Sequence, residues 1–175
     1  MVNPDNYAPI LTLEAFAALR DEKDLGRVIC TSGGYDPIHP GHITCIVESQ
    51  RLGDTMVVVV NGDNFLRTKK GKAFQTLDTR CKIVSAIRGV DYVVAFEIED
   101  DMTVAPALNA IRPHVFTKGG DRKKGSTMPP SEEEACTTHG IELIDGVGLD
   151  KAWSSSDSLR EWGEFVLEKD RAGDD

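Results

Sequence analysis

Cysteine is scarce in this chain, and its spacing argues against two kinds of site. The 175 residues include four cysteines, Cys30, Cys45, Cys81 and Cys136, and no two of them form a C-x-x-C pair. Neither a structural zinc site nor a redox-active dithiol is therefore indicated. Reduced thiols, as in a cytosolic protein, are the simplest interpretation.

Long apolar runs are also missing. No stretch reaches the roughly 18 apolar residues that a membrane span requires, and the start of the chain lacks the basic end and apolar core of a signal peptide. We therefore expect a soluble, cytoplasmic protein. The length and the 40% hydrophobic content suit one domain, which we place at 25–170, after an N-terminal segment with a short helix, 1–24, and before a flexible tail, 171–175.

Positive charge is in short supply. The formal net charge of -9 disfavours nucleic acid and anionic membranes as partners, because clustered Lys and Arg provide most of that affinity. The basic residues are unevenly placed, and eight of the 20 lie in two short segments, 67–72 and 118–124. Local positive charge on an acidic protein favours a small anionic substrate.

A segment rich in glycine and histidine, 33–42, is the most informative part of the chain. Its sequence, GGYDPIHPGH, follows an apolar run at 28–30 and precedes a helix-like segment at 43–52. Glycines let a ligand approach the backbone closely. Two histidines three residues apart lie on one face of a helix start, beside free backbone N–H groups. The pattern predicts a phosphate-binding site.

Strand-like and helix-like segments alternate along the chain. The continuous β-branched run at 56–60 indicates a strand buried on both faces, as in a parallel sheet. We predict strands at 28–31, 56–60, 92–96, 115–117 and 141–144, helices at 13–20, 39–52, 76–88, 103–111, 131–138 and 155–169, and a long loop at 61–75. This order predicts a single-domain α/β fold with a doubly wound, Rossmann-like parallel sheet of about five strands. The loops after the strands would then meet at one edge, where such sheets bind ligands.

The 33–42 segment matches the pattern G-x-[FY]-D-x-x-H-x-G-H, and the chain thereby resembles the HIGH-type nucleotidyltransferases of the cytidylyltransferase-like family. The resemblance is greatest to the adenylyltransferase domain of bacterial ADP-heptose synthase, followed by glycerol-3-phosphate cytidylyltransferase, and covers 11–159. Further blocks follow in the family's order, including K-G-G-D at 118–121 and W-S-S-S at 153–156. An ordered set of blocks supports the resemblance more strongly than one motif.

The resemblance implies roles for individual residues. The catalytic residues would be His39, His42, Lys69 and Lys72. The nucleotide would contact Gly33, Gly34, Tyr35, Asp36, Gly41, Lys118, Gly119, Gly120, Asp121, Trp153, Ser154, Ser155 and Ser156. The acceptor substrate would contact Asn61, Asp63, Lys70, Arg80 and Arg122. No residue is assigned to a protein-bound metal, and Mg2+ is expected to arrive with the nucleotide.

Three positions depart from the family pattern. Gly71 replaces a lysine of the basic loop, and the neighbouring Lys70 is the candidate to compensate for it. Arg122 stands where the heptose enzymes usually have an aromatic residue, and Trp153 where relatives carry a smaller one. These last two positions leave the identity of the substrates open.

The reaction implied by the resemblance joins a nucleoside triphosphate to a phosphorylated small molecule and releases pyrophosphate. ATP with a sugar phosphate such as heptose 1-phosphate is the leading pair. CTP with glycerol 3-phosphate, or with another small phosphate or a phosphonate, is the main alternative, and FAD synthesis is a third. A non-catalytic nucleotide-binding module is the alternative of another class. The partners are thus small molecules, and a homodimer is one assembly that the resemblance allows.

The two remaining histidines have a structural interpretation. His114 and His139 stand beside Pro113 and Gly140, near the starts of predicted strands. Such positions are typical of loop and capping residues.

Overall fold

Six parallel strands form a single sheet in the computed structural model, which describes residues 7–98, 102–119, 128–148 and 154–172. The strands of this described part are β1 (Ile10–Thr12), β2 (Val28–Gly33), β3 (Thr55–Asn61), β4 (Tyr92–Phe96), β5 (Val115–Gly119) and β6 (Glu142–Val147). Their order across the sheet is β1-β4-β3-β2-β5-β6, and every neighbouring pair is parallel. The predicted doubly wound α/β fold is confirmed.

One more strand is present than the sequence predicts. β1 pairs with β4 from Ile10 opposite Val93 to Thr12 opposite Ala95. An edge strand of three residues has too little apolar periodicity to be recognised from sequence. The five predicted strands all lie where they were expected.

The described residues include seven α-helices, of which the first six lie between strands and the seventh follows β6. They are α1 (Leu13–Glu22), α2 (Pro40–Ser49), α3 (Asp63–Lys70), α4 (Leu77–Ser85), α5 (Ala105–Ile111), α6 (Pro130–His139) and α7 (Ser155–Ala172). A 3-10 turn, Gln50–Leu52, follows α2. Thr12 caps α1, because its Oγ1 accepts a hydrogen bond from Ala15 N at 3.2 Å.

Helices cover both faces of the sheet. Ile46 of α2 and Val84 of α4 belong to the apolar cluster on one face. Phe16 of α1 and Leu108 of α5 belong to the cluster on the other face, together with residues of α6. The valines of β3 alternate between these two clusters, so this strand is buried on both sides, as its β-branched run predicted.

The predicted loop at 61–75 is wrong over half of its length, because it contains α3. Asp63 lies in the first turn of this helix and three basic residues lie in the last turn, which suits the helix dipole. Gly71 ends it with a φ of 83°. The sequence conceals the helix because Leu66 is its one buried residue, which leaves almost no apolar periodicity to detect.

Helix α7 leaves several large apolar side chains in solvent. Trp162 is 65% exposed and Phe165 is 52% exposed, and their ring centroids lie 5.3 Å apart. The helix continues to Ala172, two residues into the predicted flexible tail. In the part of the chain that the structure describes, no helix has the length and apolar character to cross a membrane.

Candidate active site

The glycine and histidine segment joins the central strand β2 to helix α2. β2 ends at Gly33, and α2 begins at Pro40 with His39 as its N-cap residue. The chain continues from β2 to β3 on one side and later enters β5 on the other. Ligands of open parallel sheets bind at this reversal, beyond the carboxyl ends of the strands. The segment therefore lies where the fold favours a ligand.

His39 and His42 cap each other across the first turn of α2. His39 Nδ1 accepts a hydrogen bond from His42 N, and His42 Nδ1 accepts one from His39 N, both at 3.3 Å. Their rings stack with centroids 3.7 Å apart. Because both Nδ1 atoms accept, each neutral ring carries its proton on Nε2. The pair thus provides two Nε2–H donors at a helix start.

The surroundings of His42 favour its neutral form. Burial, and then the neighbouring His39 and Lys70, lower the pKa of His42 to about 3 from its usual 6.5. Removal from water and nearby positive charge both disfavour an imidazolium ion. At neutral pH His42 is therefore an uncharged donor.

The side chains of Tyr35 and Asp36 support the motif loop from below. Tyr35 is 4% exposed, and its ring meets the His42 ring edge to face with centroids 5.1 Å apart. Asp36 is 1% exposed, and its carboxylate accepts hydrogen bonds from Phe74 N and Gln75 N, both at 2.8 Å. Both residues were predicted to contact the nucleotide. That contact stays a prediction, and in the structure their side chains fix the shape of the loop.

Lys70 is the lysine that α3 brings to the histidine motif. Its Nζ donates to the carbonyl oxygen of Asp36 at 3.1 Å. Partial burial, with Lys69 and Arg80 close by, lowers its pKa, and the Asp36 carboxylate opposes that shift. The ammonium group thus lies beside the loop that carries His39 and His42, although the residue as a whole is exposed.

Lys69 and Lys72, the two lysines predicted to be catalytic, have surroundings that differ from those of Lys70. The Nζ atom of Lys69 sits over the ring of Phe65, 5.5 Å from its centroid. Lys72 is exposed in the turn after α3. Among the three lysines of this segment, the hydrogen bond to the motif loop is made by Lys70.

Arg80 is buried and links separate segments of the chain through its hydrogen bonds. Its side chain has 0% exposure. Nη1 donates to the carbonyl oxygens of Gly34, at 2.8 Å, and of Asn61, while Nη2 donates to Asp63 Oδ1 at 2.6 Å. The substrate contact predicted for Arg80 stays a prediction, and in the structure its guanidinium joins the ends of β2 and β3 to α3.

Asn61 and Asp63, two more predicted substrate contacts, lie on either side of Gly62 where β3 ends and α3 begins. Asp63 is committed to its ion pair with Arg80. Asn61 is 6% exposed, and its Oδ1 atom has no hydrogen-bond partner within the described residues. Of the two, Asn61 retains an unused polar atom.

Glu97 lies at the carboxyl ends of the strands, the rim where the site residues gather. The sequence motifs did not identify it as a site residue. Its carboxylate accepts hydrogen bonds from Asp63 N at 2.6 Å and from Asn64 N at 2.9 Å, and so caps α3. The available signal was its position directly after β4, at the edge where the site residues gather. Its role as a helix cap could be predicted from that position only if α3 had been predicted first.

Lys118 does not point toward the histidines. Its Nζ lies 2.9 Å from Glu132 Oε2, and both side chains are 8% exposed. The pair belongs to the face of the sheet that α5 and α6 cover, because Lys118 Nζ also lies 5.3 Å from the centroid of the Phe116 ring in that cluster. The nucleotide contact predicted for Lys118 stays a prediction, and the structure shows its side chain in a buried ion pair. Gly119 ends β5 near Cys45 Sγ.

The late serine segment reaches the motif loop. Ser155 Oγ donates to the carbonyl oxygen of Pro37 at 2.8 Å, and Ser154 Oγ accepts from Asp157 N at 3.3 Å. Ser156 is exposed beside them. The structure thus brings the predicted serines, the histidine pair and Lys70 to one rim. Other predicted contacts lie outside the described residues, namely Gly120, Asp121, Arg122 and Trp153.

His114 and His139 make structural contacts. His114 Nδ1 accepts from Val28 N at 2.9 Å, and His139 Nε2 lies 3.1 Å from Asn109 Oδ1. All four cysteines lie within the described residues and are buried, and none forms a disulfide. These contacts agree with the structural interpretation of both histidines.

A cavity of about 430 Å³ opens between α2 and β6. Its wall begins at Thr44, two residues beyond His42, and is otherwise formed by Glu48, Leu52, Ile144, Val147 and Gly148. None of these residues was predicted to belong to the site. The largely apolar lining explains why a search for polar motifs overlooks them.

Comparisons of the sequence agree with the motif. A family model described as cytidylyltransferase-like matches residues 30–138. The bifunctional protein HldE of Methylococcus capsulatus is 41% identical over 97 residues, which make up 54% of this chain and 20% of that protein. HldE of Koribacter versatilis is 30% identical over 129 residues, or 71% of this chain and 26% of that protein. The chain thus spans between a fifth and about a quarter of the length of these relatives.

Comparisons of the structure agree with the fold. The lipopolysaccharide core biosynthesis protein of Thermoplasma volcanium superposes with a TM-score of 0.56 at 22% identity, covering 71% of this chain and 99% of that one. The pantoate-beta-alanine ligase of Francisella tularensis gives a TM-score of 0.59 at 12% identity, covering 87% and 73% of the two chains. At these identities the likeness shows a shared Rossmann-like fold.

Proposed function

Because the chain belongs to the cytidylyltransferase-like family, we propose that it is a nucleotidyltransferase that transfers NMP from an NTP to a phosphorylated small molecule and releases pyrophosphate. The observation that carries this proposal is the pair His39 and His42, whose Nδ1 atoms both accept backbone hydrogen bonds at 3.3 Å. Two Nε2–H donors at the positive end of a helix suit a polyphosphate.

The reaction needs no protein nucleophile. An oxygen of the acceptor phosphate attacks the α-phosphorus, and the bond from that phosphorus to the leaving pyrophosphate breaks with its electron pair. The Nε2–H groups of His39 and His42 would donate to the α- and β-phosphate oxygens, where negative charge has to be accommodated. Because the pKa of His42 is about 3, its ring keeps the same protonation state across the physiological range.

Positive charge for the triphosphate would come from Lys70. Its ammonium group is 3.1 Å from the Asp36 carbonyl oxygen, beside the histidine motif, and would offset charge as pyrophosphate leaves. Mg2+ would enter as part of the nucleotide substrate and would offset phosphate charge. Within the described ranges, no group of three or more His, Cys, Asp or Glu side chains is arranged to hold a metal. The catalytic roles of Lys69 and Lys72 stay predictions.

The acceptor that we favour is a sugar phosphate. The relatives at 30% to 41% identity are bifunctional HldE proteins, which are ADP-heptose synthases, and this supports ATP with heptose 1-phosphate. CTP with glycerol 3-phosphate, with another small phosphate or with a phosphonate is the alternative. FAD synthesis is the third reaction to test.

Pyrophosphate release identifies the reaction. ATP and CTP would each be supplied with Mg2+ and with a panel containing heptose 1-phosphate, glycerol 3-phosphate, a small phosphonate and FMN. We expect turnover with ATP and the sugar phosphate. Turnover with none of these pairs, combined with measurable nucleotide binding, would support the non-catalytic nucleotide-binding module instead.

The histidine pair provides the sharpest variant. We expect His42→Ala to lower kcat by about 100-fold or more, because a preorganised donor to the transition state is lost. His139→Ala is the matched control, since His139 contacts Asn109 away from the motif, and it should retain the wild-type rate. An unchanged rate in His42→Ala would remove this residue from the mechanism.

We further propose that the protein works on small molecules in the cytoplasm, without a nucleic-acid or membrane partner. The net charge of -9 supports this, because polyanionic surfaces repel an acidic protein. A homodimer stays a prediction.

A further inference from the structure

We propose that Glu97 is a positioning residue of the site: by capping the start of α3, its carboxylate sets where Lys70, at the end of the same helix, meets the histidine motif. The inference rests on the proposed function, in which Lys70 offsets phosphate charge. It concerns a residue outside the motifs that define the family resemblance.

Glu97 holds the first turn of α3 with both carboxylate oxygens. Oε2 accepts from Asp63 N at 2.6 Å, and Oε1 accepts from Asn64 N at 2.9 Å. A Cβ atom at Gly62 would lie 2.4 Å from Glu97 Cδ, so the glycine leaves room for the carboxylate. The first N–H groups of a helix attract an anion. Here that anion is supplied by the protein itself.

Apolar packing contributes little to the placement of α3. The helix has eight residues, and Leu66 is its one buried residue. Leu66 rests against the motif loop, where a Cβ atom at Gly34 would lie 2.8 Å from Leu66 Cδ2. A helix of this length is marginal by itself. Polar contacts at its two ends therefore determine how α3 sits on the domain.

Those contacts couple the two ends of the helix. At the first turn, Glu97 binds the backbone and Asp63 binds Arg80 at 2.6 Å. At the last turn, Lys70 Nζ binds the Asp36 carbonyl oxygen at 3.1 Å. The helix is a rod of about 12 Å. Releasing its first turn therefore displaces Lys70 from the loop.

The displacement is measurable without substrate. Lys70 in the full chain would be followed by NMR of 13C-dimethylated lysines, with its signal assigned by loss in Lys70→Arg. Its pKa is lowered chiefly by burial, with Asp36, Lys69 and Arg80 nearby and the neutral His42 facing it. In Glu97→Ala we expect the Lys70 pKa to rise toward its usual range, because the ammonium group returns to water.

Two further variants separate positioning from general damage. Gly62→Ala keeps the carboxylate but displaces it, and should change Lys70 in the same direction as Glu97→Ala. Asp91→Ala is the matched control, because Asp91 also accepts a hydrogen bond from a backbone amide, Met56 N at 2.7 Å. This contact lies at the amino-terminal ends of the strands, away from the site. Asp91→Ala should leave the Lys70 titration unchanged, whatever it does to the melting temperature.

Kinetics test the same coupling once the substrates are known. We expect Glu97→Ala to lower kcat by about tenfold, the scale of a lost helix cap, and Glu97→Gln to be intermediate. The double variant Lys70→Met with Glu97→Ala should be no slower than Lys70→Met alone, because both changes remove one function. Additive losses would overturn the proposal.

The two readouts distinguish this inference from the proposed reaction. A shifted Lys70 titration in Glu97→Ala and Gly62→Ala, without turnover in any variant or in the wild type, supports the positioning role and counts against the reaction. An unchanged Lys70 titration in both variants overturns the positioning role even if the wild type is active.

Discussion

Single hydrogen bonds decide the chemistry of His39 and His42. Each ring accepts a backbone N–H at Nδ1, at 3.3 Å, and protonation at that atom would break the bond. Burial adds to the penalty, and the pKa of His42 falls to about 3. A group whose pKa differs between the folded and unfolded chain makes stability depend on pH.

We therefore expect the free energy of unfolding to fall as the pH drops below about 6.5, in part because of His42. The pKa of His42 is about 3 in the folded chain, whereas the usual pKa of histidine, 6.5, applies to the unfolded chain. Between these two pH values the unfolded chain therefore binds more protons than the folded chain. The stability due to neutral His42 is complete above the upper limit and is lost toward the lower one. The slope from one such group is at most about 1.4 kcal/mol per pH unit.

Urea unfolding of the wild type and His42→Asn between pH 7 and pH 4 measures this effect. The wild type should lose stability more steeply than the variant. His139→Asn serves as the control, since that histidine is exposed and contacts Asn109. Parallel curves for wild type and His42→Asn would contradict the lowered pKa.

At this scale, the sequence predicted the residues whose roles are local. His39 and His42 cap each other within one turn, so a ten-residue motif contains their geometry. For Arg80 and Lys118 the sequence predicts a substrate contact and a nucleotide contact, and both stay predictions. The ion pairs that bury these two side chains could not be predicted, because their partners Asp63 and Glu132 are distant in sequence and lie in helices whose orientation a motif does not encode.

Among the elements, α3 has the greatest effect on the site, because its last turn decides which lysine faces the histidines. We expect Lys70→Met to lower kcat by about tenfold to 100-fold, through loss of a cation near the leaving group. Lys69→Met and Lys72→Met should stay within about threefold of the wild type, because Lys69 lies over the Phe65 ring. Steady-state kinetics with saturating NTP and acceptor measure all three. A larger loss in Lys69→Met than in Lys70→Met would support the catalytic role that the sequence predicts for Lys69.

The junction of β5, α5 and α6 carries a second prediction. Lys118→Met leaves the carboxylate of Glu132, at 8% exposure, without its cation, and should lower the free energy of unfolding by about 3 kcal/mol or more. Lys118→Met combined with Glu132→Gln should recover part of that loss, because the buried charge is gone. Urea unfolding measures both. A rise of tenfold in KM for the NTP with unchanged stability would instead support a nucleotide contact for Lys118.

Elements with strong apolar patterns were predictable and the others were not. β3 is buried on both faces, and its run of valines predicts that burial. α3 has one buried residue and β1 has three residues in all, so neither has enough apolar period to be distinguished from a loop. The element that positions Lys70 was therefore invisible to sequence patterns.

For the molecule as a whole, charge and architecture act in opposite senses. The net charge of -9 repels polyanions at long range, while the sheet gathers His42, Lys70 and the start of α7 at one rim. Exposed charges are screened beyond about 8 to 10 Å, so the local donors dominate once a nucleotide is seated. This combination favours a small anion over an extended one.

The same scale includes the predicted homodimer, for which α7 supplies the relevant surface. Trp162, Phe165 and Val166 are 65%, 52% and 37% exposed, and their spacing puts them on one side of the helix. Exposed apolar patches of this kind mark contact surfaces in soluble proteins. We expect sedimentation equilibrium to show reversible self-association in the micromolar range, reduced by Trp162→Ser together with Phe165→Ser. Phe74→Ser, which removes an aromatic side chain that is 60% exposed elsewhere on the domain, should leave the association unchanged. A wild type that stays monomeric at high micromolar concentration would rule out a dimer through α7.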